Sequence, residues 1–286
     1  MQLGKGTDKR WQRVYRRVFA NPATIIGLVL VGLVLICAIF APLLAPYDPI
    51  LGDLRNSYVK PPSPQHIFGT DDVGRDILSR VIYGARLSLK IALLAQTASV
   101  LVGVILGMIT GFYGGLLDTI VMRVADIVLS FPLLIIAIAL VGALGPSENN
   151  IIMALALVSW PVITRLTRSQ VLSIRESEYV TAARSLGADN FTIMRRHIFP
   201  NILTPLVVYT TLGIGGVILA EASLSFLGLG SAQQADPSWG KMLTESRSFI
   251  RSAWWMPLFP GLAILITVMG FNLLGDGLRD MLDVRS

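Results

Sequence analysis

Apolar runs recur along this sequence near residues 23–44, 88–112, 124–144, 151–171, 205–220 and 256–274. Each approaches the ~20 residues that a helix needs to cross a hydrocarbon core about 30 Å thick. A backbone in lipid must satisfy its own N–H and C=O groups, and a helix does this within one segment. The expected fold is therefore all-α, a polytopic membrane protein with six transmembrane helices. Only 15% of the 286 residues are charged, against roughly 25% in an average soluble domain. Neither a disordered chain nor a water-soluble enzyme fits that shortfall.

The runs differ in character. The third begins just after Arg123 and holds Asp126, Ser130 and Pro132, so its inner end is polar. Trp160 and Pro161 sit inside the fourth, where neighbouring helices can re-satisfy a backbone kinked by proline. The fifth is short and carries Gly213, Gly215 and Gly216, which favour close helix contact; a buried hairpin that does not span is its alternative. The first follows Lys5, Lys9, Arg10, Arg13, Arg16 and Arg17 and runs to Pro42. That exceeds the roughly 7–15 residues of a signal-peptide apolar region, so it reads as an uncleaved anchor. Cys37 reads as a small apolar residue of this helix.

Basic residues set the expected orientation. The N-terminal tail holds those six cations against Asp8, and the stretch 165–196 holds Arg165, Arg168, Arg175, Arg184, Arg195 and Arg196. With six spans these segments share a face with the C-terminal tail, so both termini are expected in the cytoplasm, in a cell inner membrane. Across the membrane, the 46–87 loop carries Pro46, Pro49, Pro61, Pro62 and Pro64, then Ile77, Leu78, Val81 and Ile82 at helical spacing. That spacing predicts a short helix lying along the membrane surface. Arg80, Arg86 and Lys90 on this side have Asp71, Asp72 and Asp76 as candidate partners. Trp239, Trp254 and Trp255, in the loop 223–255, suit a lipid–water boundary.

The chemistry of the chain is sparse. It has no HExxH, GxSxG or GxxxxGK[ST] sequence, and Gly240-Lys241 is followed by Met242. ATP is thus not expected to bind here, no cofactor or metal is expected in this chain, and spans at both ends of the basic segment argue against nucleic acid. Arg123 and Asp126, three apart, can pair on one helix face. Glu221, ending the fifth run, reads as a water-solvated carboxylate at the interface. A titratable group at mid-bilayer, as ion-coupled carriers use, is not evident.

One segment between the fourth and fifth runs stands out. Tyr179, Ala182, Ala183 and Leu186 recur at i, i+3, i+4, i+7. Gly187 suits the left-handed position that ends a helix, Asp189 or Asn190 a following N-cap, and Pro200 a stop before the fifth span. Two short helices joined at a glycine corner follow. Ala182 and Ala183 offer a low-profile surface to another protein, and Glu178 and Arg184 offer charges to fix its register.

Here the sequence resembles the EAA loop of ABC-importer permeases, whose pattern is Glu-Ala-Ala, three residues, Gly, nine residues and Ile-x-Leu-Pro. Glu178 is separated from Ala182-Ala183, and His197 and Phe199 replace the Ile and Leu, while Gly187 and Pro200 fall in register. These departures match the dipeptide/oligopeptide/nickel permease group. Phe68-Gly69-Thr70-Asp71-Asp72-Val73-Gly74-Arg75-Asp76, Tyr83-Gly84-Ala85-Arg86-Leu87-Ser88-Leu89, Leu224-Ser225-Phe226-Leu227-Gly228-Leu229-Gly230 and Phe271-Asn272-Leu273-Leu274-Gly275-Asp276-Gly277 resemble the second permease subunit of that group.

The resemblance implies an ABC importer type I permease fold. It divides the chain into a cytoplasmic tail (1–22), a first transmembrane helix (23–45), an extracytoplasmic loop (46–85), a five-helix permease domain (86–275) with its coupling loop at about 172–200, and a C-terminal tail (276–286). It further implies a heterodimer with a homologous permease, two ATP-binding subunits that hold ATP and magnesium at the cytoplasmic face, and an extracytoplasmic substrate-binding protein. The expected activity is ATP-driven import of dipeptides or oligopeptides by alternating access; nickel, glutathione or another small solute, or a carrier working without ATPases, are the alternatives. Glu178, Ala182, Ala183, Arg184, Gly187 and Pro200 are the expected coupling residues.

Overall fold

A computed structural model of the chain describes residues 21–52, 59–230 and 237–282. The basic tail with Lys5 and Arg17, and the last residues of the C-terminal tail, lie outside them. Helix α1 (Pro22–Ile39) starts at Asn21, whose side chain accepts from the Ala23 N–H at 3.0 Å, with Pro22 in the first turn where no N–H is needed. After a short α2 (Ala41–Leu44) and an irregular loop, α3 (Ile77–Tyr113) is capped by Asp76, which accepts from Ser79 N at 2.8 Å.

The separate surface helix expected near 77–82 does not exist. It is the first part of α3, because no proline interrupts the stretch and Gly84 is packed under the indole of Trp239. At 37 residues α3 is about 55 Å long, well over the thickness of a hydrocarbon core. Its first turns therefore stand clear of the membrane.

The third apolar run is likewise not one helix. α4 (Gly115–Leu129) and α5 (Leu133–Leu144) meet at 91° across Ser130-Phe131-Pro132. Proline removes a donor N–H and disfavours helical geometry at the residue before it, which breaks the run there. α6 (Glu148–Arg175) then begins at Ser147, which accepts from Asn150 N at 3.2 Å, and keeps Pro161 inside it.

Two contacts fix the direction of travel. Lys90 pairs with Glu148 at 2.7 Å at one end of α3 and α6, and at the other Arg175 donates to the carbonyls of Gly111 and Phe112 at 3.2 and 3.1 Å. The two helices are parallel neighbours, so the bent α4–α5 pair must carry the chain back across. Five continuous helices and one broken one make the six crossings.

The remaining elements are α7 (Glu178–Ser185), α8 (Asn190–Ile193), a π-helical turn (Met194–Ile198), α9 (Phe199–Leu224), a second π turn (Ser225–Leu229), α10 (Trp239–Glu245), a 3-10 turn (Arg247–Phe249) and α11 (Trp255–Leu282). α1 and α11 run antiparallel: Asn21 donates to Asp280 at 3.1 Å, and a Cβ on Gly27 would lie 2.6 Å from the Leu274 nitrogen. The start of α1, the Gly114 turn, the 176–198 segment and the end of α11 thus share one face.

Small residues let the helices approach. Gly103, Gly107 and Gly111 recur every fourth residue of α3, and added Cβ atoms would lie 2.6, 2.5 and 2.8 Å from Ile163, Thr167 and Val171 of α6. Lipid tails are as apolar as leucine, so association within the membrane depends on such close packing rather than on burial from water.

The opposite face is a built platform. Arg80, 2% exposed, donates to Asp71 at 2.7 Å and to Glu245 of α10 at 2.6 Å, and Arg75 reaches the same two carboxylates. Of the acids expected to pair nearby, Asp76 instead takes the Ser79 cap and His66 at 2.9 Å. Trp239 Nε1 donates to Val81 O, Trp255 Nε1 to Thr70 O, and Phe68 stacks on Phe259 with centroids 3.8 Å apart.

Candidate coupling site

α7 hangs below the bundle with Val180 as its buried residue and Arg184 over the Phe112 ring of α3. Val180 is fully buried among Phe112, Val171, Ile193, Ile198 and Ile202, while Glu178, Tyr179, Ala182 and Arg184 are exposed and Ala183 is half-buried. The apolar spacing of Tyr179, Ala182 and Leu186 therefore marks a face turned away from the bundle. Val180, outside that pattern, is the anchor that spacing alone did not reveal.

The corner closes as the sequence predicts. Gly187 has φ +83°, the left-handed conformation open to glycine without a Cβ penalty. Its N–H bonds Arg184 O at 3.0 Å and the next N–H, of Ala188, bonds Ala183 O at 3.1 Å. These are the paired bonds of a Schellman motif, which satisfy carbonyls orphaned at a helix end. Asp189 then caps α8, accepting from Thr192 N at 3.1 Å, and hydrogen bonds from the Thr192 side chain and from this N–H hold its carboxyl below the usual range. Leu186, 88% exposed, and Phe191, 65% exposed, project on either side of the turn.

Pro200 does not stop the second helix. The path runs unbroken from residue 190 through Pro200 to Leu224, with the π turn at Met194–Ile198 widening the spiral just before the proline, where an ordinary bond would be lost. A rigid connection thus leads from the corner into the fifth span.

The charges inside the membrane are arranged differently from their local spacing. Asp126 pairs with Arg165 of α6, not with Arg123, which is exposed; the bend after α4 brings Asp126 against its neighbour. Asp118 of α4 takes a two-pronged bond from Arg168, both contacts 2.6 Å. Glu221 is no solvated interfacial group. It is 1% exposed, accepting from Ser225 at 2.8 Å and Ser88 at 3.3 Å, because α10 and the first turns of α3 close over it through Trp239.

Residues 103–286 match the family model described as the binding-protein-dependent transport system inner membrane component. Residues 9–62 match that of the N-terminal transmembrane domain of oligopeptide transport permease C. The chain belongs to the binding-protein-dependent transport permeases. It is 47% identical over 273 residues to the dipeptide transport system permease protein DppC of Alkalihalophilus pseudofirmus, covering 96% of this chain and 89% of that one. To the protein of the same name in Escherichia coli it is 50% identical over 269 residues, covering 92% and 89%. Among solved structures, the MetNI methionine ABC transporter in inward-facing conformations superposes with a TM-score of 0.60 at 18% identity, over 72% of this permease and 97% of that chain. An amino acid ABC transporter gives 0.54 at 21%, over 73% and 95%. These likenesses establish the ABC-importer permease fold, and the permease is a multi-pass membrane protein.

Proposed function

We propose that this permease is one of two related pore-forming subunits of an ATP-driven importer of dipeptides or oligopeptides. A substrate-binding protein would deliver solute at the platform face, and two ATP-binding subunits, carrying ATP and magnesium, would engage the opposite, cytoplasmic face. The relatives named for dipeptide transport support the substrate class. Arg175, Arg184, Arg195 and Arg196 on the α7 face support a cytoplasmic placement of that face and of both termini.

The observation that carries the reading is the corner itself. Leu186 and Phe191 project from the two sides of the Gly187 turn, each exposed over more than half of its surface, and Tyr179 is half-exposed beside them. A groove on an ATP-binding subunit is their natural occupant, with Glu178, Ala182, Ala183 and Arg184 setting register and Gly187 the exit angle. Closure of the ATPases would pull this elbow, and the unbroken helix beyond it would tilt the fifth span between inward-open and outward-open states.

Co-expression with a partner permease, ATPases and binding protein, followed by reconstitution, tests this directly. Uptake of tritiated dialanine should require ATP and all components. A single cysteine at position 182, with Cys37→Ser, should react with an impermeant maleimide in inside-out vesicles. Reaction only in right-side-out vesicles defeats the proposal.

A further inference from the structure

Helix α4 is lightly anchored and jointed at both ends. Ala125 is its one buried residue. Two ion pairs tie the helix to α6: Asp118 takes both 2.6 Å contacts from Arg168, and Asp126 pairs with Arg165, each side chain of that second pair half-exposed. Exposed pairs hold weakly, because water competes for both charges. At the near end Gly114 and Gly115 stand at φ +66° and +69°, and a Cβ on either would meet nothing within 4 Å. Glycine takes such angles as readily as negative ones. At the far end the chain turns through 91° across Ser130-Phe131-Pro132. Hinges are a few residues of this kind at element ends that absorb backbone rotation.

What α4 stands beside gives the joints a use. A cavity of about 340 Å³ lies between α3, α6 and α9, with Val128 and Leu129 of α4 and Phe131 of the bend in its wall. Val162 and Ile163 of α6 line it too. Residues three apart share a helix face, so Asp126 lies one turn from Leu129 and Arg165 one turn from Val162. Both steps lead the same way, toward the α7 face, because α4 runs away from that face and α6 runs to it. The Asp126–Arg165 pair therefore bridges the two helices at the floor of the cavity.

We propose that α4 is a hinged gate under this cavity, latched to α6 by Asp126–Arg165 and Asp118–Arg168 and swung aside as solute leaves. The inference rests on the ATP-driven importer reading and adds to it a movement within this chain. Tilting the whole permease leaves α4 fixed on α6, whereas the gate requires the two to part. α3 cannot part from α6 in the same way, since Gly103, Gly107 and Gly111 lock it there.

The test uses the complete reconstituted transporter with Cys37→Ser and no other reactive cysteine. Spin labels at Ile120→Cys on α4 and Leu157→Cys on α6, 52% and 48% exposed, report the gate. Ile105→Cys on α3 with Leu157→Cys is the control pair. Between nucleotide-free and vanadate-trapped complexes the α4–α6 distance should change by about 5 Å, one helical turn, with the α3–α6 distance constant. A constant α4–α6 distance in complexes whose ATPase vanadate has arrested overturns the inference, and so does an equal change in both pairs. Asp118→Asn with Asp126→Asn keeps the shape and removes both latches. The ratio of parted to latched distances without nucleotide should then rise about 2- to 30-fold, and an unchanged ratio overturns the latch. Should the labelled complexes fail to assemble, Ser159→Cys in the cavity wall decides: its reaction with an impermeant maleimide in inside-out vesicles should quicken by the same factor in the double-asparagine variant. An unaltered rate overturns the gate. Dialanine uptake with a fixed α4 removes this inference alone, whereas no ATP-dependent uptake by the wild-type complex removes the importer reading with it.

Discussion

Replacing Gly187 with valine attacks the corner without touching the bundle. Nothing lies within 4 Å of a Cβ built there, so the perturbation is conformational and not a collision. Holding an L-residue at φ +83° costs about 1–2 kcal/mol, with β-branching at the upper end. Escape to negative φ sacrifices the bonds to Arg184 O and Ala183 O, about 0.5–1.5 kcal/mol each. Either way roughly 1–3 kcal/mol is lost from the presented geometry, a fall of about 5- to 150-fold in the ratio of well-placed to displaced corners. Uptake by the reconstituted complex should drop accordingly, with membrane insertion and thermal unfolding of the permease unchanged. Asparagine tolerates the left-handed region better than alanine, so activity should rank Gly, Asn, Ala, Val. Full uptake with Gly187→Val, or asparagine as damaging as valine, would refute the reasoning.

Gly107→Leu should force α3 from α6, destabilising by about 1–3 kcal/mol or more, read as a lower unfolding temperature in detergent. Arg80→Ala should cost about 1.5–3 kcal/mol, since Asp71 and Glu245 each lose a charge-assisted bond but keep Arg75, and limited proteolysis should then cut the 59–76 loop faster. Glu221→Gln should be tolerated, because an amide still bonds Ser88 and Ser225. Glu221→Ala should lower the unfolding temperature by orphaning both hydroxyls, about 1–3 kcal/mol for each.

Local signals were readable in the sequence where a single turn decides the outcome. Gly187 and Asp189 end and start helices through bonds made within a few residues, and both lie where spacing puts them. Partners drawn from distant helices were not readable. Asp126 has Arg123 close by in sequence, yet its carboxylate meets Arg165, 39 positions away. Glu221 is sealed by Ser88, 133 positions away, which no reading of the 205–224 stretch supplies. Two features were legible and passed over: Pro132, which warns of a break, and the four-residue rhythm of Gly103, Gly107 and Gly111. Val180 is the anchor in the candidate site because the bundle lies behind it, a fact of tertiary packing.

The uninterrupted length of α3 has a mechanical consequence. One end is clamped in the Asp71–Arg80–Glu245 knot and the other is gripped by Arg175, a few residues ahead of the elbow. A stiff rod about 55 Å long turns a rotation of about 5° at one end into a displacement of about 5 Å at the other. A push on the platform can therefore reach the opposite face through leverage along one rod, without a relay of side chains in between.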